Sequence, residues 1–348
     1  MAQIPHKRKE GLYVLEYLAF LAVTPAVFFL CVCVGSVKVP LGDTVRLILD
    51  AIRGSDISGI KFASIIVSVR IPRVLSAALV GASLSLCGAG MQGLLKNPLA
   101  DGSTLGVSSA ASLGAVIAIA FGITVPFLPF AGTMIMAILF AFLGLLIILS
   151  LAYKLDSSLS TNTIILIGVI FSMFVSSITS LVITFASDKI KHITFWTMGS
   201  LQGNNYTHVL ILCGALVIFG GVILLHAREL NAFAVGEDNA RNIGVNVRRV
   251  RLTILICVSA LIGVCVSIGG TIAFVGLVTP HMTRIIVGPN HKKLLPVSVF
   301  AGAIFLMLSD LAARILLNPL ELPIGVVTSM IGSVVFIYIF ITGRRKGK

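Results

Sequence analysis

Apolar runs of about twenty residues recur from one end of this chain to the other, and a lipid bilayer is the solvent in which such a pattern folds. The runs are Leu12 to Val34, Ala63 to Leu94, Leu105 to Phe121, Phe127 to Tyr153, Thr161 to Phe185, His208 to Leu225, Leu252 to Ile268, a glycine-broken piece from Gly269-Gly270 through Gly276 continued by Pro280 to Val287, then Leu294 to Leu317 and Ile324 to Ile341. Hydrocarbon offers no water to unpaired N–H and C=O groups, so each run must close its own hydrogen bonds as a helix. The expectation is an all-α polytopic membrane protein with ten transmembrane helices, forming a single domain over residues 1–348. Its N-terminal half spans about 12–185 and its C-terminal half about 252–341.

The formal net charge of +13 raises the question of nucleic acid. Lys and Arg fall at segment ends and in short loops, as expected when positive loops stay on the cytoplasmic side, and no RNA or DNA motif accompanies them. Both ends are basic, with Lys7, Arg8 and Lys9 at one and Arg344-Arg345-Lys346 at the other. Both termini are therefore expected in the cytoplasm of a prokaryotic cell, with an even number of crossings of its plasma or inner membrane. The first run resembles a signal peptide at its basic end, but it is too long and shows no small-residue cleavage site. Val37 to Lys61 reads as a polar external connection. Residues 187–207 are too polar to span, and Phe195-Trp196-Thr197-Met198-Gly199 reads as an interfacial helix carrying the only tryptophan. The six cysteines lie inside apolar segments without metal-ligand spacing, so they read as small buried hydrophobes and no metal site is expected.

One polar island, residues 226–251, interrupts the second half. Arg228 to Ala234, including Glu229 and Leu230, is short and amphipathic. Gly236-Glu237-Asp238 opens a second short helix, with Ala240 and Arg241 inside it. Its acidic first turn suits the positive helix N-terminus, and Gly244 ends it at about two turns. A connection this long with structure of its own serves as a docking surface more often than as a plain solvated loop. The two halves also echo each other at an offset of 182 residues: Leu79, Gly81, Ser85, Gly88, Leu95 and Pro98 against Leu261, Gly263, Ser267, Gly270, Leu277 and Pro280. Combined with opposed topology, this is the pattern of an inverted internal repeat, which favours a transporter over a receptor.

No catalytic constellation assembles. The chain lacks Gly-x-Ser-x-Gly, His-Glu-x-x-His and any span with paired carboxylates, which argues against an intramembrane enzyme. No filter loop or ring of charge suggests a channel. Gly-x-x-x-x-Gly-Lys-Ser/Thr is also missing, so ATP hydrolysis would have to come from a partner.

Arg70-Ile-Pro-Arg73, Gly88-Ala-Gly-Met-Gln92, Asn97-Pro98-Leu99-Ala100 and Leu105-Gly106-Val107-Ser108 sharpen the reading, as do Gly236-Glu237-Asp238, Phe274-Val275-Gly276-Leu277-Val278 and Glu321-Leu322-Pro323-Ile324-Gly325. In this order and spacing the sequence resembles FecCD-type permease subunits, which belong to the ABC importers of iron–siderophore complexes, haem and cobalamin. The resemblance covers residues 12 to 341. It implies the type II ABC importer permease fold, a second permease subunit (identical or related), two cytoplasmic ATPase subunits that bind the ATP and Mg, and an extracytoplasmic substrate-binding protein. No cofactor is implied for this chain. Residues 226–244 would be the coupling helices. Arg70, Arg73 and Arg314 match outer-end arginines that pair with acidic side chains of the binding protein; simple anchoring at the interface is the alternative. Gln92, Asn97, Pro98 and Leu99, with Ser160, Thr161 and Asn162, match the pathway and its cytoplasmic gate, although Asn97-Pro98 also suits a turn and Ser160 a helix cap. Ferric siderophores come first as cargo, with cobalamin and haem as alternatives.

Overall fold

The computed structural model describes residues 10–37, 39–53, 60, 62–102, 105–126, 131–156 and 160–345. The basic residues Lys7, Arg8, Lys9 and Lys346, and residues 54–59 and Lys61 of the expected external connection, lie outside them. The helices in chain order are α1 (Glu10–Cys33), α2 (Leu41–Ile52), α3 (Ile71–Leu95), α4 (Val107–Phe121), α5 (Ala131–Leu155), α6 (Thr161–Phe185), α7 (Ile190–Thr197), α8 (Tyr206–Ala215), α9 (Gly221–Leu225), α10 (Ala227–Val235), α11 (Glu237–Asn242), α12 (Val247–Gly269), α13 (Val275–Val287), α14 (His291–Ile315) and α15 (Ile324–Arg345). A π-helical turn, Ser64–Arg70, leads into α3, and another, Leu216–Gly220, joins α8 to α9.

Among the described residues seven helices are long and apolar enough to cross a membrane, and three shorter apolar helices lie at Val107–Phe121, Val275–Val287 and Ile324–Ile339. These ten correspond to the ten expected crossings. The connection after α1, expected only as a polar external connection, contains the amphipathic helix α2.

Helix starts follow from local chemistry. Pro72 sits where the π-helical turn Ser64–Arg70 passes into α3, a change of winding that accommodates a residue with no N–H. Asn246 and Asn290 cap α12 and α14 by accepting from the Arg249 and Lys292 amides. Asn205 and His208 form a reciprocal capping box at α8.

A fourfold pattern of helix lengths recurs. α3, α4, α5 and α6 have 25, 15, 25 and 25 residues; α12, α13, α14 and α15 have 23, 13, 25 and 22. Both short helices start from a left-handed residue, Gly106 and Phe274. The series of helix lengths recurs, but the 182-residue register does not hold. Gly88 lies in mid-helix, whereas its expected match Gly270 ends α12 with φ +68°.

α3 is the axis of the molecule. Most residues of α3 and α12 are buried and few of α6 are, so the first two form the centre and α6 presents most of its surface outward. α3 packs most extensively against α14. Glycine makes the approach possible: a Cβ on Gly81 would strike the Gly302 carbonyl, and one on Gly88 the Gly276 carbonyl. Van der Waals contact between such close backbones takes the place of the hydrophobic effect inside lipid.

Candidate functional site

Three places carry polar chemistry: the α10–α11 end, a cavity in the body, and the opposite end of α3.

At the first, α10 is pinned by Ala227, Leu230 and Phe233, which are buried, and α11 by Ala240, which is fully buried. Glu237 pairs with the buried Arg251 of α12. Gly236 and Gly244 adopt φ +142° and +88°; Gly236 opens α11 and Gly244 follows its end, as read. What faces outward is a different set. Arg228, Asp238, Arg241 and Gly244 are exposed, together with two large apolar residues that the sequence reading had passed over, Val235 at 73% and Ile243 at 72% exposure. Two corrections follow for the predicted coupling residues. Leu230 and Ala240 are anchors rather than contact residues, because the amphipathic face of each short helix turns onto the permease itself. Glu229 is half-buried.

The predicted pathway and gate residues fall in the loop after α3 and at the start of α6, with Gln92 inside α3. Asn97 Oδ1 accepts from the Leu99 amide at 2.9 Å, closing an Asx turn that leaves Leu99 48% exposed. Lys96, the left-handed residue before it, ends α3. Gln92 donates from Nε2 to the Leu277 carbonyl at 3.1 Å, tying α3 to α13. The Ser160 amide is held by Asp156 Oδ2 at 3.0 Å and its hydroxyl meets Thr163 Oγ1 at 2.9 Å, so Ser160 starts α6 through a side-chain cluster; Thr161 is half-buried and Asn162 exposed. Among these interactions, none joins the loop after α3 to the start of α6.

The chain after Leu99 folds back into the body, where a cavity of about 420 Å³ opens between α3, α4, α6, α12 and the start of α13. Hydroxyls dominate its polar lining: Ser108, Ser109 and Ser112 from α4; Ser176, Thr179 and Ser180 from α6; Thr197 and Thr271 beyond, with Asp101 at its side. Helix α6 accommodates its hydroxyls by turning their protons inward. Thr179 donates to the Val175 carbonyl at 2.9 Å and Ser180 to Ser176 at 3.1 Å. Such back-bonding satisfies the donors within the helix and leaves the oxygen lone pairs for whatever fills the cavity. The sequence carried this signal at Ser172, Ser176, Thr179 and Ser180, a helical period of hydroxyls inside an apolar run, and it went unread.

At the far end of α3 the three arginines are inside the protein. Arg70, Arg73 and Arg314 are 5%, 7% and 3% exposed. Arg73 Nε donates to Asp310 Oδ1 at 2.9 Å, and its Nη1 to Glu321 Oε2 at 2.8 Å. Arg314 Nε lies 2.9 Å from the other Asp310 oxygen, as an ion pair without an aligned hydrogen bond. Arg70 donates to the carbonyls of Val32, Cys33 and Val37, and Arg314 to those of Cys31 and Val34. The reading of these arginines as exposed docking charges is corrected. The carbonyls left open where α1 ends need donors, and the buried Asp310 needs cations. Glu321, its side chain 26% exposed, is the outermost member of the network.

The model of the FecCD transport family matches residues 23–342. This chain belongs to the FecCD family. An ABC transporter permease of Bacillus subtilis, YvrB, itself uncharacterized, is 39% identical over 332 residues, covering 95% of this chain and 93% of its own. The cobalamin import system permease BtuC of Halobacterium salinarum is 36% identical over 275 residues, 79% and 73% of the two chains. Among solved structures, an inward-facing metal-chelate type ABC transporter superposes with a TM-score of 0.80 at 28% identity, covering 94% of this chain and 99% of that one. This FecCD chain is therefore a multi-pass ABC transporter permease, a transport component rather than an enzyme, and the intramembrane-enzyme alternative falls away.

Proposed function

We propose that this FecCD permease forms one half of the pathway by which a metal chelate, a ferric siderophore first among them, is imported. The observation that carries the reading is the hydroxyl-lined cavity beside the outward face of α6. A cavity of about 420 Å³ is at the lower end of the range that holds a small ligand, so a large chelate needs a second wall. Two permease subunits, identical or related, would supply it by setting their α6 faces towards each other. Many hydroxyls and few charges suit a path along which cargo slides without being held. Selection of cargo then belongs to an extracytoplasmic binding protein, docking on the surface that the Arg73–Asp310–Arg314 network holds in place.

Energy enters at α10–α11, where two ATPase subunits with their ATP and Mg would bind around Val235 and Ile243. Asn97, Pro98 and Leu99 with Ser160, Thr161 and Asn162 close the same end. Both termini lie in the cytoplasm of a prokaryotic cell under this reading. Cobalamin and haem are the alternative cargoes; the cobalamin named for the Halobacterium relative keeps that one in view. The test is uptake of radioiron-labelled ferric trihydroxamate into proteoliposomes holding the whole importer, with cobalamin and haemin as competitors. ATP-dependent uptake resisting both competitors supports the siderophore reading, and uptake of labelled cobalamin or haemin alone replaces it.

A further inference from the structure

A single amide on α10 holds the start of α14. Asn231 Oδ1 accepts from the His291 backbone amide at 2.8 Å and meets His291 Nδ1 at 2.9 Å. Its Nδ2 donates to Asn290 Oδ1 at 2.9 Å, the same oxygen that caps α14 through the Lys292 amide. The first turn of α14 is thus capped partly by another helix. The His291 ring is 4% exposed and rests on α3 at Gly93, where any Cβ would collide with Nε2. Gly93 lies one turn before Asn97, and α3 and α14 form the most extensive helix pair in the molecule.

We infer that the Asn231–His291 pair is the joint through which movement of α10 reaches the loop at Asn97. Resting on the reading of α10–α11 as the ATPase-docking surface, the inference names the positioning residues behind that surface. The geometry suits a push in either direction. Three hydrogen bonds fix Asn231 to the start of α14, so α10 cannot shift without carrying that turn. His291 in turn has no space to yield on the α3 side, because it already fills the notch left by Gly93. Close-packed contacts of this kind switch between discrete arrangements rather than deforming smoothly. Leu230 and Phe233 hold α10 to the body by apolar contact, which tolerates sliding; the amide pair does not.

The experiment uses the complete importer in nanodiscs. Lys96→Cys in a Cys213→Ser background reports the loop through its labelling rate with a membrane-impermeant maleimide, with and without ATP and vanadate. Nucleotide is expected to change that rate at least about fivefold in the parent, the lower range of allosteric coupling. In Asn231→Leu the ATPase subunits should still co-purify and hydrolyse ATP, while the nucleotide effect on labelling disappears; Asn231→Asp combined with Asn290→Ala, which keeps the acceptor oxygen for His291 and removes the opposing acceptor at position 290, should restore it. Asn290→Ala removes the cap but spares the pair, and should keep the parent response. A full response in Asn231→Leu overturns the inference, as does its loss in Asn290→Ala to the same extent, which would reduce the pair to a cap. Should Asn231→Leu not fold, Gly93→Ala crowds His291 from the α3 side and should abolish the response; an undiminished response there also overturns it. Failure of the ATPase subunits to co-purify with the parent would instead sink the docking reading itself.

Discussion

Arg73 and Asp310 lie 2.9 Å apart across α3 and α14, and Asp310 is wholly shielded from solvent. An ion pair so placed contributes little net stability as a pair, yet leaves a buried charge if one member is removed. Asp310→Ala should therefore destabilise the permease by about 3–5 kcal/mol. Arg73→Glu sets a third carboxylate against Asp310 and Glu321 and should prevent folding. Thermal melting in detergent reads both, with Arg46→Glu as an exposed control. Melting of Arg73→Glu at the parent temperature would show that the network is not formed, and would reopen a direct docking role for Arg73.

Val235 and Ile243 are exposed while Ala240 is enclosed, so substitutions there part company. Ile243→Asp should lower ATPase co-purification about tenfold, the effect of losing an apolar anchor worth more than 1 kcal/mol. The melting temperature of the permease should not change. Ala240→Trp should do the opposite: it lowers the melting temperature, because an indole cannot fit where a methyl is fully enclosed. Equal melting of both variants with the parent would contradict the placement of α11.

Ser176 lines the cavity from α6, next to the buried Val175. Ser176→Phe should leave folding and ATPase association intact and cut chelate uptake more than about tenfold, since pore width governs passage. Uptake unchanged in this variant would move the pathway off α6.

Topology gives a fourth check. A reporter fused after Lys348 and one inserted at Asn239 should both report cytoplasm, and one at Ser55 the outside. Reporters at Lys348 and Asn239 on opposite sides would rule out ten crossings.

The membrane class, the helices and the family were legible because hydrophobic run length and Gly/Pro punctuation act locally, residue by residue. α10 and α11 emerged nearly as read, since Gly236 and Gly244 set their ends through backbone conformation alone. What could not be read was which way a side chain faces once helices pack. Ala240 looked like a contact residue and is an anchor; Arg70, Arg73 and Arg314 looked like free charges and are enclosed by α1, Asp310 and Glu321. Those partners are brought from far along the chain, and no local pattern pairs Arg73 with Asp310. The hydroxyl face of α6 is the reverse case, present in the sequence as a helical period but hidden by an apolar average. Likewise the recurring helix lengths are a property of the fold, which the coincidences at an offset of 182 residues misplaced.

The central claim is that an ATPase drives this permease from the α10–α11 surface. A photo-crosslinking residue placed at Ile243 in living cells tests it most directly, with the adduct identified by mass spectrometry. The account predicts a covalent adduct with an ATP-binding cassette subunit, diminished when Val235→Asp is added. Adducts with lipid alone, while the ATPase still co-purifies with the permease, would contradict it.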